Sequence, residues 1–509
     1  MPLIRRRRRQ RASRPAMSGG LVAAETSLRV LFADERARQR LGGGVVEVVP
    51  AALSGRVKDR KHPPRIDVVV VSAERLRDIK VQRLIQTAGP AAVVSTGGGL
   101  PSSMARQPVS IRAPLAVNMS EFNPVGFRRN ATDGPLLAHF EGDQPPPALI
   151  DVVRDRWGAD SLNLDVIEAA GTPESIMNRY DARGVIEHPD LHEDGRSQAE
   201  WILTCVAQGI PVIGQLADEA ADLLDEDIVK AVDSAAPPDL TDTWRRDELS
   251  ARQRRAALRH HGAPHVWRRI ADDIGLETGT APSVSVILAS NRPQDVVEAA
   301  QRFSTFRYPR KELVVGLHGE GFPSAIEGHL RAEVGSEAKV VQVSSQATLG
   351  EVLNHLTQAA SGDLVAKMDD DDLYDPHHLD DLVDALRYSG ATLVGKGSEF
   401  VYLGEIDTTI RRLPNGVESR SRSIGGGTLM IERNALRSIG GWQRAPRAVD
   451  QRLMDDVIAG GGQIHRTHGY GFVLMRRYDG HTWDSGVDYF LRSAVQQWHG
   501  LATSAAGFG

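Results

Sequence analysis

The chain of 509 residues has a single cysteine, Cys205, and few aromatic residues. One cysteine excludes an internal disulfide and any zinc site built from several cysteines, and it fits a reducing compartment, so we expect a cytoplasmic protein. Aromatic residues make up only 5% of the sequence, which argues against a stacking platform for single-stranded nucleic acid. The formal net charge is -5, so the overall charge gives no reason to expect nucleic acid as a partner.

The sequence also lacks long apolar runs and several motifs of known chemistry. No run reaches the ~18 apolar residues that a membrane-spanning helix needs. There is no Gly-x-x-x-x-Gly-Lys-Ser/Thr phosphate loop, no Gly-x-Ser-x-Gly elbow and no His-Glu-x-x-His motif, which argues against P-loop nucleotide hydrolases, α/β-hydrolases and zinc peptidases. The triple glycines that begin at Gly97, Gly425 and Gly460 predict turns or close backbone approaches rather than phosphate cradles.

Residues 1–20 are predicted to form a disordered basic tail. The arginine run at 5–9 is not followed by an apolar segment, so it does not have the pattern of a secretory signal. Met17 is an alternative start of the protein. Contact of the arginines with anionic lipid or nucleic acid is the alternative to a solvated tail.

The rest of the chain is predicted to form more than one α/β unit, because 509 residues exceed what one core usually organises. Short β-rich runs alternate with helical patterns in the first half, which predicts parallel sheets with strands at 28–32, 66–71, 91–95 and 115–118. The proline-rich stretch 144–147 divides this half into lobes at 21–145 and 146–275. A polar linker at 276–282 precedes the last predicted domain, 283–509, whose first strand is expected at 283–289.

Four consecutive aspartates, Asp369 to Asp372, follow an apolar run at 364–368. Carboxylate oxygens are hard ligands for Mg²⁺ or Mn²⁺, and these cations in turn bind phosphate oxygens. Sheets of α/β proteins bind their ligands at the carboxyl ends of the strands. We therefore predict a metal and phosphate site here, with a solvated acidic loop as the alternative. An EF-hand does not fit, because its sixth-position glycine is missing.

Residues 283 to about 490 resemble a family 2 glycosyltransferase of the GT-A fold. The resemblance is carried, in this order, by Ser283-Val-Ser-Val-Ile-Leu-Ala-Ser-Asn-Arg-Pro293, Leu349-Gly-Glu-Val-Leu-Asn354, Ala360-Ser-Gly-Asp-Leu-Val-Ala-Lys-Met-Asp-Asp-Asp-Asp372, Gly426-Gly-Thr-Leu-Met-Ile431, Gly440-Gly-Trp442 and Val449-Asp-Gln-Arg-Leu453. It implies a Rossmann-like domain that transfers a sugar, with inversion, from a nucleoside-diphosphate sugar to a hydroxyl.

The resemblance also implies a nucleotide site with a metal. In the family the first strand and the turn after it contact the nucleotide, and the matching residues here are Ala289, Ser290, Asn291 and Arg292. The Asp-x-Asp-Asp signature implies that Asp369 lies beside the ribose, that Asp371 binds Mn²⁺ or Mg²⁺ and that Asp372 supports them. Asp370, which the signature passes over, is counted with the nucleotide-sugar site.

Further residues are implied for the acceptor side and the metal. Asp450 matches the family's general base, although Val449 stands where a glutamate is usual; Asp455 and Asp456 are the alternatives for this role. His481 resembles a late histidine that completes the metal shell in related enzymes. Trp442 and Trp483 are candidates for stacking on a sugar ring, with a place in the core as the alternative.

Donor and acceptor are left open by the sequence. Many relatives end the second strand in an acidic pair that holds uridine, but this chain has His318-Gly-Glu320 there, so both UDP- and dTDP-linked donors are expected. A glycan or polyol-phosphate acceptor in cell-surface polysaccharide synthesis, at the inner face of the membrane, follows from family habit. The alternatives are a nucleotidyltransferase, which would need a glycine-rich basic loop after the first strand, and a non-catalytic glycan-binding scaffold.

The first half gives a fainter resemblance. Residues 184–274 are similar to the nucleotide-binding lobe of GT-B glycosyltransferases of the spore-maturation type, through Ser197-Gln-Ala-Glu-Trp-Ile202, Ala207-Gln-Gly-Ile-Pro-Val-Ile213 and His265-Val-Trp-Arg-Arg-Ile270. We expect a GT-B-like two-lobed α/β region that serves acceptor binding or assembly. A second active transferase is the alternative.

Overall fold

The computed structural model describes residues 183–234, 240–276, 281–335, 338–476 and 486–508 without a break. Before residue 183 it describes seven strands and a few residues around them. This part of the chain is a mixed α/β structure with four sheets. No helix within it is long and apolar enough to cross a membrane.

Two all-parallel sheets make up the first half. Their strands are β1 Arg29–Phe32, β2 Val46–Glu47, β3 Val68–Ser72, β4 Ala92–Thr96, β5 Val109–Arg112, β6 Leu136–Phe140, β7 Leu164–Glu168, β8 Gly184–Glu187 and β9 Val212–Gly214. The first sheet has the order β2-β1-β3-β4-β5 and the second the order β7-β6-β8-β9, with every pairing parallel. The predicted parallel sheets are confirmed.

One predicted strand of this half is wrong. The fifth strand is Val109–Arg112, whereas Leu115 and Ala116 lie outside any strand. Pro114 precedes them and has no N–H for a sheet ladder. The Leu115 carbonyl is hydrogen-bonded to Nδ1 of His261 instead, at 3.1 Å.

The last two helices of the first half contact different parts of the protein: one packs on the first sheet and the other forms ion pairs with the second half. From residue 183 onward, the described helices of this half are α1 Gly195–Ala207, α2 Asp218–Leu223, α3 Glu226–Asp233, α4 Thr243–His261 and α5 Ala263–Asp273. Gly262 separates α4 from α5, and Pro264 lies in the first turn of α5. The apolar side of α5 packs on the first sheet, where Trp267 Nε1 donates to the Leu41 carbonyl at 2.8 Å.

The second half contains two further sheets. Their strands are β10 Val284–Ser290, β11 Lys311–His318, β12 Ala338–Val343, β13 Leu364–Met368, β14 Leu373–Tyr374, β15 Leu393–Lys396, β16 Phe400–Leu403, β17 Thr408–Arg412, β18 Ser419–Arg420, β19 Met430–Glu432, β20 Ile464–Thr467, β21 Phe472–Arg476 and β22 Ala494–His499. The main sheet has the order β12-β11-β10-β13-β19-β15-β20-β18, and the smaller sheet has the order β14-β21-β16-β17-β22.

Helices cover both faces of the main sheet. They are α6 Pro293–Thr305, α7 Ile326–Val334, α8 Leu349–Ala359, α9 His378–Ser389, α10 Arg433–Ser438 and α11 Val449–Ala459; α12 Val487–Leu491 packs on the smaller sheet. Apolar residues of α6, α7 and α9 form the core on one face, and those of α8, α10 and α11 form it on the other. Strands buried on both faces read as continuous apolar runs, which is why β10 and β13 were visible in the sequence.

Buried ion pairs join α4 to the second half. Arg254 Nη1 lies 2.6 Å from Glu418 Oε1, and Arg255 Nε lies 2.8 Å from Asp381 Oδ1. The predicted domain boundaries stay predictions. We note only that β6, which precedes the predicted boundary at 145/146, pairs with β7 and β8 beyond it.

Candidate functional site

The four aspartates lie where the main sheet changes direction. β13 pairs in parallel with β10 and antiparallel with β19. The carboxyl ends of β10 and β13 are therefore neighbours, and this places Ser290 beside the residues that follow Met368. The aspartate run then leads directly into β14, which starts the smaller sheet by pairing with β21. The predicted nucleotide turn and the predicted metal ligand Asp371 thus lie at the same end of the sheet.

Asp370 holds the turn after β10 against the aspartate run. Its Oδ2 accepts hydrogen bonds from Ser290 Oγ at 2.5 Å and from Arg292 Nε at 3.1 Å. Arg292 Nη2 also donates to Asp370 Oδ1, and Arg302 Nη1 donates to the Asp370 carbonyl at 3.0 Å. Burial raises the pKa of Asp370, and the bonds from Arg292 and Ser290 oppose that rise. The Asp370 carboxylate is thus buried, and both of its oxygens accept hydrogen bonds from protein side chains.

Asp371 is more open than Asp370. Its side chain is 14% exposed, and Arg292 Nη1 donates to its Oδ2 at 3.2 Å. Arg292 therefore spans both aspartates and a third carboxylate, Asp295, at 3.2 Å. Of the other two residues of the predicted nucleotide turn, Ala289 is half-buried and Asn291 is exposed.

Asp369 and Asp450 are brought together by a buried lysine. Lys367 Nζ donates to Asp369 Oδ1 at 2.6 Å and lies 3.4 Å from Asp450 Oδ1. The Asp369 side chain is 36% exposed, and Asp450, in the first turn of α11, is half-buried. Burial raises the pKa of Asp450, with the charge of Asp369 adding to the rise and Lys367 opposing it. The predicted general base thus lies beside the predicted donor site.

A glycine loop, Gly425 to Gly427, closes over this cluster. A Cβ atom on Gly427 would lie 2.8 Å from the Tyr374 hydroxyl, 2.9 Å from Asp369 Oδ2 and 3.0 Å from Asp372 Oδ2. The Tyr374 hydroxyl accepts from the Asp369 backbone N–H and donates to the Gly427 carbonyl. The close backbone approach predicted for this triple glycine is confirmed.

Asp372 is the most deeply buried member of the run. Its Oδ1 accepts from the Met475 backbone N–H at 2.9 Å. Burial raises its pKa well above the usual value, and the negative charges of Asp371 and Asp369 raise it further. Asp369, Asp371 and Asp372 thus bring negative charges close together, and a bound cation would reduce their mutual repulsion.

The donor set fits a divalent cation. Asp369 and Asp372 offer hard carboxylate oxygens on either side of the space that a Cβ on Gly427 would fill, and the charge of Asp371 acts on Asp372. The ligand atoms of these three aspartates do not all lie within 4.8 Å of one another. In the described ranges one group of ligand atoms already lies within 4.8 Å of one another, that of Asp225, Asp227 and His260. That group is elsewhere in the fold, at the start of α3, and the Arg259 guanidinium already pairs with Asp227.

Trp442 does not have the open position that sugar stacking needs. Its side chain is 2% exposed and packs in the core between α8 and α11. Its Nε1 donates to Thr357 Oγ1 at 3.1 Å, and Asn354 binds its backbone. A ring buried on both faces cannot stack on a ligand, so Trp442 as a sugar-stacking residue is wrong.

Other predicted residues lie apart from the cluster or outside the described residues. Asp455 is exposed and pairs with Gln451, and Asp456 accepts from Gln443 Nε2 at 2.7 Å. His481 and Trp483 fall outside the described residues.

Sequence reasoning missed Lys367 and Tyr374. The signal for Lys367 was present, since a lysine inside the apolar run 364–368 must be buried and therefore needs an anionic partner. Tyr374 had no comparable signal, because its bond to Gly427 depends on a contact across 53 residues.

The comparisons with known proteins point to one class of enzyme. No family model matches the chain. The putative glycosyltransferase EpsE of Bacillus subtilis (strain 168) is 27% identical over 194 residues. This alignment covers 35% of the chain and 65% of EpsE, slightly less than two thirds of that relative.

Two solved structures are also similar to parts of the chain. The mannosyltransferase PcManGT from Pyrobaculum calidifontis, in complex with GDP-Man and Mn²⁺, is 16% identical with a TM-score of 0.31, over 43% of this chain and 65% of that one. S. aureus TarS 1-349, in complex with UDP-GlcNAc, is 15% identical with a TM-score of 0.34, over 40% of this chain and 62% of that one. TM-scores this low add nothing to the assignment of the fold. The chain is thus similar, over about a third of its length, to a putative glycosyltransferase.

Proposed function

We propose that this protein is a metal-dependent, inverting glycosyltransferase that moves a sugar from a nucleoside-diphosphate sugar to a hydroxyl acceptor. The observation that supports it most is the convergence of three groups at one sheet edge. These are the turn after β10, the aspartate run after β13 and Asp450 at the start of α11. The partial similarity to EpsE agrees with this class of reaction.

The residues divide the work of the transfer. The turn at 289–292 would bind the nucleotide, and Asp371, with Asp369 and Asp372, would hold Mn²⁺ or Mg²⁺. When bound, this cation supplies positive charge that stabilises the departing nucleoside diphosphate. Asp450 accepts the proton of the acceptor hydroxyl as that oxygen forms its bond to the anomeric carbon and the bond from this carbon to the diphosphate breaks.

The first half is proposed to serve acceptor binding or assembly, as a GT-B-like region. Its helix α4 contributes Arg254 and Arg255 to buried ion pairs with the second half. We propose a glycan or polyol-phosphate acceptor of cell-surface synthesis at the inner face of the membrane, and a UDP- or dTDP-linked donor.

A glycan-binding scaffold is the second candidate, and Val449 is the observation in its favour. Val449 stands where the family has a glutamate, and as the first residue of α11 it is buried in the core. No carboxylate therefore orients the acceptor from this position. A nucleotidyltransferase fits less well, because the turn from Ser290 to Pro293 contains no glycine.

The test is an assay of nucleoside diphosphate release from a panel of nucleotide sugars with Mn²⁺ and candidate acceptors. Asp371→Ala should lower release by about 100-fold or more, since it removes the proposed metal ligand. Asp222→Ala changes an exposed aspartate on α2 and should leave release unchanged. Full release by Asp371→Ala would contradict the metal site. Glycan binding by wild type without release from any donor would favour the scaffold.

A further inference from the structure

Lys367 connects three elements of the candidate site. Its side chain is 6% exposed, near the end of β13 in the middle of the main sheet. Its Nζ donates to Asp369 Oδ1 at 2.6 Å and to the Gly426 carbonyl at 3.1 Å, and it lies 3.4 Å from Asp450 Oδ1. Lys367 thus makes hydrogen bonds to Asp369 and Gly426 and a longer ion pair to Asp450.

Two of these partners belong to opposite sides of the proposed reaction. Asp369 is on the nucleotide side and Asp450 is on the acceptor side. Both are carboxylates, so they would repel each other without a cation between them. A buried lysine is stable only when it is paired. Here Lys367 pairs with Asp369 on the nucleotide side and with Asp450 on the acceptor side.

The first turn of α11 has few other means of fixing Asp450. Ala448, which precedes α11, has a left-handed backbone with φ 56°, and no side chain caps this helix end. Asp450 Oδ1 is buried and makes no hydrogen bond within the described residues, which leaves the ion pair with Lys367 as its charged contact. On the other side, Gly426 lies so close that a Cβ there would clash with Asp450 Oδ2.

We propose that Lys367 is a positioning residue that fixes Asp450 relative to Asp369, so that the acceptor hydroxyl and its base are aligned with the bound donor. This inference rests on the proposed function. Its consequence is that Lys367 acts on the transfer step through Asp450, rather than on affinity for the nucleotide.

The experiment compares Lys367→Met, Lys367→Gln and Lys367→Arg with Asp450→Asn and with the double variant Lys367→Met/Asp450→Asn. Lys339→Met is the matched control, because Lys339 lies on the edge strand β12 of the same sheet and is paired with Glu312 of β11. Two quantities are measured: the Kd for nucleoside diphosphate with Mn²⁺, and the kcat and acceptor KM of sugar transfer. Thermal unfolding shows which variants are folded.

We expect Lys367→Met to lower kcat by about 30-fold to 100-fold, because a displaced base loses most of its effect. The Kd for nucleoside diphosphate should change by less than about threefold, and Lys367→Arg should recover part of the loss. In the Asp450→Asn background the same lysine substitution should lower kcat by less than about threefold, since coupled residues are not additive.

Two results would overturn the inference. One is a loss of nucleotide affinity equal to the loss of kcat, and the other is independent, multiplying effects of the Lys367 and Asp450 substitutions. If Lys367→Met does not fold, Lys367→Gln, which can keep a hydrogen bond but not the charge, answers the same question. A wild-type protein that transfers no sugar from any donor would contradict the proposed function instead, so the two failures can be distinguished.

Discussion

At the scale of single residues, the four aspartates have four different surroundings. Asp370 is bound on several sides by Ser290, Arg292 and Arg302. Asp371 shares Arg292 with Asp370, and its side chain is 14% exposed. In the sequence the four aspartates are identical. Only their contacts distinguish Asp370, which holds the turn, from Asp371, which is more exposed to a ligand.

This difference predicts unequal losses of stability for two neighbouring substitutions. Asp370→Ala should lower the free energy of unfolding by about 1–3 kcal/mol, because it leaves buried donors of Ser290 and Arg292 without their acceptor. Asp371→Ala should lower it by less, because removing this charge relieves repulsion on the buried Asp372 carboxyl group. Chemical denaturation of both variants measures this, and a larger loss for Asp371→Ala would contradict the assignment.

A second residue-scale prediction concerns pH and His468. Burial lowers the pKa of His468 from 6.5 to about 3, with Lys396 adding to the decrease and Asp381 opposing it. The charged and titratable groups around it also include Glu418 and Arg255. The unfolded chain takes up a proton at this histidine below pH 6.5, but the folded protein does so only near pH 3. Stability therefore falls as the pH drops through this window, by up to about 1.4 kcal/mol per pH unit.

His468→Gln should remove this part of the acid sensitivity. The melting temperature of the variant should fall less than that of wild type between pH 6.5 and about pH 5. Buried Asp384, whose pKa burial raises to about 6, titrates in both proteins and so does not affect the difference. The control is His499→Gln, since the His499 side chain is 92% exposed. Equal pH dependence of wild type and His468→Gln would contradict the prediction.

At the scale of elements, the sequence predicts what is apolar and continuous. The strand expected at 283–289 is observed at Val284–Ser290, and the apolar run 364–368 is β13 itself. The smaller sheet, β14-β21-β16-β17-β22, was not predicted. Its edge strand β22 alternates half-buried and exposed residues, and β14 has two residues, so neither gives a strong local pattern.

In the candidate site, too, the sequence reveals contiguous features but not contacts between distant segments. The aspartate run and the turn at 289–292 could be found because their residues are contiguous and follow apolar strands. The contacts of Lys367 with Gly426 and Asp450 could not, because they depend on the direction change between β13 and β19. For Trp442 the sequence left both sugar stacking and a place in the core open, because it does not reveal that α8 covers this side chain; the place in the core is the one observed.

At the scale of the whole molecule, α4 and α5 tie the two halves together. The α5 side chain of Trp267 packs on the first sheet. On α4, Arg254 pairs with Glu418 and Arg255 pairs with Asp381, all four being buried or nearly so. Arg254 and His465 hold the pKa of Glu418 well below its usual value, although burial alone would raise it. Two buried carboxylates of the second half are therefore paired with arginines of α4, a helix that precedes the predicted linker at 276–282.

A cut in this linker should therefore damage the second half, although the main sheet lies entirely beyond it. Breaking a buried ion pair by removing one partner costs about 3–5 kcal/mol, and a fragment of residues 281–509 loses the cations of two such pairs. We expect this fragment to be largely insoluble or to unfold at a much lower temperature than the full chain.

A fragment of residues 240–509 keeps α4 and should unfold cooperatively. If the exposed apolar side of α5 makes the longer fragment aggregate, Arg254→Met with Arg255→Met in the full chain makes the same comparison. A melting temperature of the 281–509 fragment within a few degrees of the full chain would show that the second half is independent of α4.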